Sequence, residues 1–293
     1  MALFTPLRRF HRALLSLLAA LPLVSGAQES NRIRFTTLSK TTSGGLKSDL
    51  VRDITQDLGG YVWLTTDRGL SRFDGWETIH YSHDPDTNDG LSSDQLTAIA
   101  TTRKSRSALW IGTSSKGLMK FNQDTAKTTR LMKGTAKGES LLSDNILDLA
   151  ISDDQFLWIG TDAGLNVLNL STEKIVVAEG SLGHSPIASI SCIGENEVWV
   201  GTMAGDLFKW NSKEKAFVKF WSTTVPITVI AQDSTNGIWI GTEGKGLYTY
   251  STDLSDEPKP YPINGKHITS LFVDSKADLW VGMASGLALL DLF

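Results

Sequence analysis

The sequence predicts an all-β fold, a β-propeller of six four-stranded blades whose ring is closed by an N-terminal strand pairing with the C-terminal blade. Two observations predict it. A short apolar strand that carries a tryptophan recurs six times, each time followed by a small turn and a second strand that opens on Gly-Leu or Gly-Asp-Leu. The tryptophans lie 40 to 48 residues apart, a period typical of stacked supersecondary units. These predicted blade anchors are Trp63, Trp110, Trp158, Trp199, Trp239 and Trp280.

Residues 1–27 are predicted to be a cleaved signal peptide rather than part of the fold. Three arginines precede an apolar run of about a dozen residues, and small residues mark a cleavage site after Ala27. The run is shorter than the roughly 20 residues that a membrane-spanning helix needs. We therefore expect a periplasmic or secreted protein in which residues 28–293 form the propeller, with no membrane span after cleavage.

Charge and cysteine content narrow the class of protein further. The formal net charge of the chain is −4, and loss of the three N-terminal arginines makes it −7 (−4 − 3). An acidic surface of this kind does not favour nucleic acid as a partner. Cys192 is the only cysteine, so an exported domain would depend on its core rather than on disulfides. Its apolar neighbours indicate a small buried residue rather than a reactive thiol.

The first repeat illustrates how one blade is read from the sequence. Its four strands are predicted at Leu50 to Thr55, Tyr61 to Thr65, Leu70 to Phe73 and Glu77 to Tyr81, joined by tight turns rich in glycine. We expect the indole of the second strand to fill the gap between neighbouring blades, because it offers a large apolar area for little rotamer entropy. A glycine that follows the tryptophan would let the next backbone approach closely. These glycines are Gly112, Gly160, Gly201, Gly241 and Gly282, with Thr65 in the first repeat.

The two ends of the chain suggest how the ring closes. The last repeat stops after its third strand, whereas Ile33 to Leu38 precedes any first strand and resembles the fourth strand that begins at Ile79. Pairing the two would remove two exposed sheet edges. The alternative is a shortened copy of a larger receptor, whose partial ring stays open or pairs differently.

Several motifs carry a resemblance to a known family. The repeated unit contains Gly-Leu-x-Ser-Asp before the first strand, an aspartate near the end of that strand such as Asp57 or Asp274, and then Leu-Trp-Ile-Gly-Thr. This pattern resembles the two-component regulator propeller repeat, and the resemblance covers essentially all of Ile33 to Phe293. The resemblance implies a sensor outside the inner membrane that detects a ligand, often a carbohydrate fragment, for a histidine kinase or a diguanylate cyclase. Since no second propeller, later spanning helix or output domain is recognised, signalling would pass through a separate membrane protein.

Loops rather than the fold would carry the function. The strand order places the turns between second and third strands on the same face as the loops between blades. The mixed charges of this face suit a small polar molecule or an oligosaccharide as ligand. The alternative is that most of these charged residues are solvated turn residues without a binding role. The candidate ligand-binding residues are Asp67, Arg68, Lys116, Asp162, Glu243, Lys245 and Lys266. A possible cation site at the channel mouth would use Asp49, Asp94 and Asp144, whose oxygens suit Ca²⁺. No cofactor is predicted.

We predict no catalytic residues and no enzymatic activity. The histidines show no metal-ligand spacing, and no nucleophile elbow or nucleotide-binding loop is present. Two alternatives remain. A metal-assisted lyase or hydrolase would use His184 or His267 with a channel carboxylate. A protein-binding propeller or a truncated receptor fragment would offer exposed aromatic anchors such as Trp76 or Trp221.

Overall fold

The structure is a computed structural model that describes residues 35–42, 44–86, 89–102, 108–134, 140–178, 181–193, 197–211, 213–251 and 256–292. The chain divides into two compact units, Met1–Thr37 and Leu38–Phe293. Only residues 35–37 of the first unit are described, so the predicted signal peptide lies outside the described residues.

The second unit is all-β, and its strands form six antiparallel sheets in which consecutive strands are neighbours. Blades 1 to 3 consist of β1 (Val51–Gln56), β2 (Val62–Thr66), β3 (Gly69–Phe73) and β4 (Thr78–Tyr81); β5 (Leu96–Thr101), β6 (Ala108–Thr113), β7 (Leu118–Asn122) and β8 (Thr128–Leu131); and β9 (Ile146–Ser152), β10 (Phe156–Thr161), β11 (Gly164–Asn169) and β12 (Ile175–Val177). Blades 4 to 6 consist of β13 (Ile187–Ile193), β14 (Glu197–Thr202), β15 (Asp206–Asn211) and β16 (Ala216–Ser222); β17 (Ile227–Gln232), β18 (Ile238–Thr242), β19 (Gly246–Tyr250) and β20 (Lys259–Tyr261); and β21 (Ile268–Val273), β22 (Leu279–Met283) and β23 (Gly286–Leu290). A short 3₁₀ turn at Ser181–His184 precedes blade 4.

Five of the six repeated tryptophans fill the space between one blade and the next. Trp199, for example, is fully buried and packs with Ile227 and Ile240 of the following blade. The indole N–H is bonded as well: Trp63 Nε1 donates to Asp57 Oδ2 over 2.8 Å. Asp57 Oδ1 accepts N–H bonds from the hairpin that joins β1 to β2, so one carboxylate fixes both the turn and the indole. The buried anchors are 0 to 6% exposed: Trp63, Trp110, Trp158, Trp199 and Trp239.

The glycines that follow the tryptophans form sockets for the next blade. A Cβ added to Gly201 would lie 2.6 Å from Ile227 Cγ2, closer than non-bonded carbon atoms can approach. The same contact recurs between Gly160 and Ile187 at 2.8 Å and between Gly241 and Ile268 at 2.6 Å. The four interfaces from blade 2 to blade 6 therefore share one contact, in which a branched side chain of an innermost strand enters a glycine socket, whereas blade 1 has Thr65 at the socket position.

The predicted six-bladed propeller fold is confirmed, with five four-stranded sheets and one of three strands. The innermost strands pack on one another in the order β1, β5, β9, β13, β17 and β21. Within the described ranges, no comparable packing joins β21 back to β1. Blades 1 and 6 therefore each keep one face that no neighbouring blade covers.

The predicted closing strand is not observed. Within the predicted segment, residues 33 and 34 lie outside the described ranges, and residues 35–38 form no strand and no ladder with β23. The physical reason lies in the loop that follows. Lys40 donates its backbone N–H to Asp49 Oδ1 over 2.8 Å, which holds this loop beside blade 1. The strand β23 belongs to blade 6, whose innermost strand does not pack on that of blade 1.

Candidate functional site

The turn between β2 and β3 is rigid and presents two charged side chains. Thr66 is buried, its hydroxyl donates to the Gly69 carbonyl over 2.8 Å, and it accepts the N–H of Arg68 at 3.0 Å. Gly69 has a φ of +100°, and an added Cβ would lie 2.3 Å from the Tyr81 carbonyl oxygen, so only glycine fits. This turn therefore holds the side chains of Asp67 and Arg68 at the loop face of blade 1.

The same threonine bond recurs in other blades and was missed by the sequence prediction. The hydroxyls of Thr113, Thr161 and Thr242 each donate to the carbonyl of the turn glycine over 2.7 to 2.8 Å. The signal was present in the sequence, because a threonine ends the tryptophan strand in five of the six repeats. The loop face thus consists of similar rigid turns whose two or three central residues vary.

A cleft of about 400 Å³ lies where the turn between β2 and β3 meets the loop that leads into β1. It is open to solvent and rich in charged side chains. The lining residues are Lys40, Lys47, Ser48, Asp49, Leu50, Asp67 and Arg68.

Both carboxylates of the cleft are held by fixed donors. Ser48 Oγ donates to Asp67 Oδ1 over 2.5 Å, and the Asp49 carboxylate accepts the Lys40 N–H and lies 3.8 Å from Lys40 Nζ. Lys47 Nζ donates to Ser82 Oγ over 2.7 Å at the edge of the cleft. Three cationic side chains thus face two carboxylates that already have partners, which leaves the cleft with an excess of one positive charge.

The structure brings together only part of the predicted ligand-binding set. Asp67 and Arg68 line the cleft, together with Asp49 from the predicted cation set. The sequence prediction missed Lys40 and Lys47, although both lie in the loop segment that leads into the first strand. The other predicted residues lie on loops of blades 2, 3, 5 and 6 and do not line this cleft: Lys116, Asp162, Glu243, Lys245 and Lys266.

The predicted cation site is not assembled. The three aspartates each cap the backbone of their own loop: Asp49 Oδ1 accepts the N–H of Lys40, Asp94 Oδ1 that of His83 at 2.6 Å, and Asp144 Oδ1 that of Lys133 at 2.7 Å. Among the described residues, no group of three or more acidic, histidine or cysteine side chains is placed to hold a metal ion. The aspartate of the repeated Ser-Asp motif thus fixes the geometry of the loop before the innermost strand in blades 1 to 3.

Two other carboxylates on the innermost strands were missed because apolar residues surround them in the sequence. Asp53 Oδ2 accepts the N–H of Ile99 over 2.8 Å, and Asp148 Oδ2 accepts that of Ile190 over 2.6 Å, so each joins its blade to the next. Burial raises the pKa of Asp53 to about 6. Burial, with the charge of Asp53 added, raises the pKa of Asp148 to about 7.

These raised pKa values predict that Asp53 and Asp148 make the fold less stable as the pH rises. A carboxyl whose pKa is higher in the folded than in the unfolded state contributes stability below pH 4, which is lost between pH 4 and 7. His80 acts in the opposite direction because burial lowers its pKa. Between pH 5 and pH 8, we expect the free energy of unfolding to fall less in Asp148→Ser than in the unaltered protein, by at least about 1 kcal/mol.

Chemical denaturation at the two pH values measures this difference. Serine is a fair replacement, since Ser189 occupies the same position in blade 4. The exposed Asp124, changed to serine, is the matched control and should leave the pH dependence as it is. An unchanged pH dependence in Asp148→Ser would show that this carboxyl ionises normally.

The residues of the alternative hypotheses lie apart from the cleft. His184 belongs to the 3₁₀ turn before blade 4, and His267 pairs by a backbone bridge with Glu243. Trp76 is 92% exposed at the hairpin between β3 and β4, whereas the Trp221 ring packs 4.9 Å from that of Tyr248. No helix in the described part of the chain has both the length and the apolar character needed to cross a membrane.

Fold and repeat together define this chain as a β-propeller assembled from six copies of one unit. The family model of the two component regulator propeller matches residues 222–244. Histidine kinase P4 of Formosa agariphila is 28% identical over 209 residues, which make up 69% of this chain and 12% of that protein. These two matches confirm the resemblance to the two-component regulator propeller that the motifs predict.

Solved structures with the same fold include extracellular domains of putative two component systems and lyases. The extracellular domain of the putative hybrid two component system BT3049 from B. thetaiotaomicron aligns with a TM-score of 0.73 at 24% identity, over 85% of this chain and 34% of that one. Virginiamycin B lyase from Staphylococcus aureus aligns with a TM-score of 0.66 at 14% identity, over 85% of this chain and 83% of that one. The chain thus spans about a third of the BT3049 domain and about an eighth of the curated kinase.

Proposed function

We propose that this propeller is an exported, non-catalytic module that binds a small polar ligand or an oligosaccharide and acts as the sensing part of a two-component pathway. The observation that carries the proposal is the charged cleft on the loop face of blade 1, formed by rigid turns and a capped loop. The proposal is supported by the match to the repeat family and by the fold shared with extracellular domains of putative hybrid two component systems.

The charges of the cleft suggest the chemical class of the ligand. Its carboxylates are occupied by Ser48 and by Lys40, so they shape the cleft. Arg68 and Lys47 line the same cleft, and the Lys47 ammonium, which donates to Ser82, has two further N–H groups for a ligand. Because guanidinium binds carboxylate and sulfate in a bidentate manner, the cleft suits a sugar that bears one acidic group beside its hydroxyls.

The mechanism is differential binding. A ligand that bridges the turn between β2 and β3 and the loop leading into β1 would stabilise the arrangement of loops that it binds, by an amount set by its concentration relative to its Kd. A separate membrane signalling protein would read that arrangement. Binding rather than catalysis is favoured because both carboxylates of the cleft are held in hydrogen bonds to serine or lysine donors.

We expect Arg68→Gln to weaken binding of an acidic oligosaccharide at least about tenfold, because a charge-assisted hydrogen bond contributes about 1.5 to 3 kcal/mol. Isothermal titration with a uronate-containing oligosaccharide and with its neutral analogue of equal length measures the effect. Arg130→Gln, an equal change on an exposed strand of blade 2, is the matched control and should bind as the unaltered protein does.

Equal affinity of Arg68→Gln and the unaltered protein for the acidic sugar would contradict the assignment of the cleft. Turnover of the oligosaccharide during the titration would contradict the proposal that the propeller is not an enzyme.

A further inference from the structure

Blades 1, 2 and 4 each place a basic side chain over their own buried tryptophan. The basic residue lies on the third strand of the blade, directly opposite the tryptophan of the second strand. Its charged group lies 4.9 to 5.7 Å from the centre of the indole ring. The pairs are Trp63 with Arg72, Trp110 with Lys120 and Trp199 with Lys209. Because the three cations occupy one repeat position, their other partners can be compared directly.

The two lysines of this set are each paired with a glutamate. Lys120 Nζ lies 2.9 Å from Oε1 of Glu173, which belongs to the turn between the last two strands of blade 3. Lys209 Nζ lies 2.8 Å from Oε1 of Glu197, which lies two residues before the tryptophan of its own blade. The carboxylate therefore comes from the following blade in one case and from the same blade in the other.

Both of these glutamates are replaced around blade 1. Tyr61 occupies the position of Glu197, two residues before the tryptophan. Ala126 of blade 2 occupies the position of Glu173: the two turns are closed by the same backbone bond over 2.8 Å, and the two residues have φ values of 56° and 55°. Ala126 also packs against the cluster that contains the blade 1 tryptophan. Uncharged side chains thus stand at both positions from which a carboxylate would reach Arg72.

Arg72 is held by aromatic stacking instead of by an acidic partner. Its guanidinium carbon lies 4.5 Å from the centre of the Tyr61 ring. Its Nε is buried without a hydrogen-bond partner, and no carboxylate of the described residues forms an ion pair with it. The carboxylate of Asp74 accepts backbone N–H groups of its own turn. The remaining guanidinium donors have the fork geometry that binds a carboxylate with two hydrogen bonds.

Exposed apolar side chains surround this guanidinium. Tyr61 is 38% exposed, and Ile79, the neighbour of Arg72 on the next strand, is 40% exposed. Trp76 is 92% exposed on the adjoining turn, which is rigid because Asp74 Oδ1 accepts two N–H groups of the turn over 2.8 Å each. Tryptophan, tyrosine and arginine are the residues that contribute most to binding at protein interfaces. Anchors that are already fixed lose little conformational entropy on binding.

We propose that Arg72 and Trp76 bind a partner protein through a segment that carries an aspartate or glutamate side chain between apolar residues. The partner's carboxylate would pair with Arg72 as the glutamates pair with the lysines of blades 2 and 4. A protein segment is favoured over a free acid because exposed apolar groups lie on either side of the guanidinium. The surface lies at the end of blade 1 opposite the turn of Asp67 and Arg68, so it is separate from the cleft and does not depend on its ligand.

A peptide titration of the whole chain tests this surface. The probe is the blocked pentapeptide acetyl-Ala-Leu-Glu-Phe-Ala-amide, whose only charge is the side-chain carboxylate. The NMR resonances of the Arg72 guanidinium, assigned by their loss in Arg72→Lys, report binding at the residue itself. We expect a saturable shift with a Kd of about 1 mM. The same peptide with glutamine in place of glutamate should bind at least about tenfold more weakly, because it lacks the charge.

Ala126→Glu is the decisive variant, because it supplies the missing carboxylate from the position that Glu173 occupies in blade 3. We expect it to shift the Arg72 guanidinium resonances without any peptide and to weaken the peptide at least about tenfold. Ala126→Gln, which has the same length and no charge, is the matched control and should bind the peptide as the unaltered protein does. If Ala126→Glu folds poorly, the glutamate and glutamine peptides still test the proposal on the unaltered chain.

Trp76→Ala distinguishes a protein segment from a free acid. It should weaken the pentapeptide about threefold and leave the response to acetate unchanged, since acetate has no side chains to contact the indole. Equal affinity of the unaltered protein for acetate and for the pentapeptide would overturn the assignment to a protein segment. Guanidinium resonances of Arg72 that stay unchanged at about 10 mM peptide, or that respond equally to the glutamate and glutamine peptides, would overturn the site itself.

Discussion

Trp199→Ala is expected to lower the free energy of unfolding by about 4 kcal/mol, the upper range for truncation of a buried aromatic side chain. Trp199 is fully buried, its ring lies edge-on 5.0 Å from that of Phe220, and its Nε1 donates to Glu197 Oε1 over 2.6 Å. The alanine would leave a cavity between blades 4 and 5 and remove these contacts. Denaturant unfolding followed by circular dichroism measures the loss.

Trp280→Ala is the matched control, since it removes the same side chain from the blade whose outer face is uncovered. We expect a loss of about 1 to 2 kcal/mol, because Trp280 is partly exposed and its Nε1 donates to Asp274 Oδ2 of its own blade over 2.9 Å. Equal losses in the two variants would mean that Trp280 is covered as fully as Trp199, and would contradict the uncovered face of blade 6.

Gly201→Val is expected to destabilise the protein by at least about 3 kcal/mol. The new Cβ would lie 2.6 Å from Ile227 Cγ2 and 2.6 Å from Ser189 Oγ, so β14 would have to move away from its neighbour β13 and from β17 of the next blade. Gly201 lies in the middle of the ring, where both blades have further neighbours that oppose this movement. The thermal midpoint and the free energy of unfolding both report the effect.

Gly282→Val controls for the intrinsic effect of replacing a strand glycine. Its Cβ would contact the Ser270 hydroxyl, which can rotate away, and its three nearest atoms all belong to blade 6. We expect a change of less than about 1 kcal/mol. A loss in Gly282→Val as large as that in Gly201→Val would show that the Gly282 socket is occupied.

The repeat made most of the fold predictable. The period of the tryptophans predicted the number of blades, and the glycine that follows five of the six tryptophans predicted the close approach seen at Gly160 and Gly201. These features are predictable because each is local and is repeated, so that one interface explains all the others. The aspartate near the end of the first strand, noted as a motif at Asp57 and Asp274, proved to bond to the indole.

Closure and the site were less predictable, for physical reasons. The match between Ile33 to Leu38 and a fourth strand concerns local sequence, whereas pairing with β23 depends on the angle through which successive blades turn. No single repeat specifies that angle. Likewise, Asp49, Asp94 and Asp144 look alike in the sequence, but each is satisfied by an N–H of its own loop. Asp67 and Arg68 were predicted because their turn is part of the repeat, whereas Lys40, which lines the same cleft, was missed because its loop precedes the first copy.

Cysteine labelling of one repeat position in two blades tests most directly whether the last blade has an uncovered face. Leu287→Cys and Leu247→Cys place a thiol at equivalent sites that are 54% and 1% exposed. The natural Cys192 gives little background, since burial raises the pKa of its thiol to about 12. The structure predicts that a maleimide labels the native Leu287→Cys protein rapidly and the Leu247→Cys protein only on unfolding. Equal, slow labelling of both would contradict it.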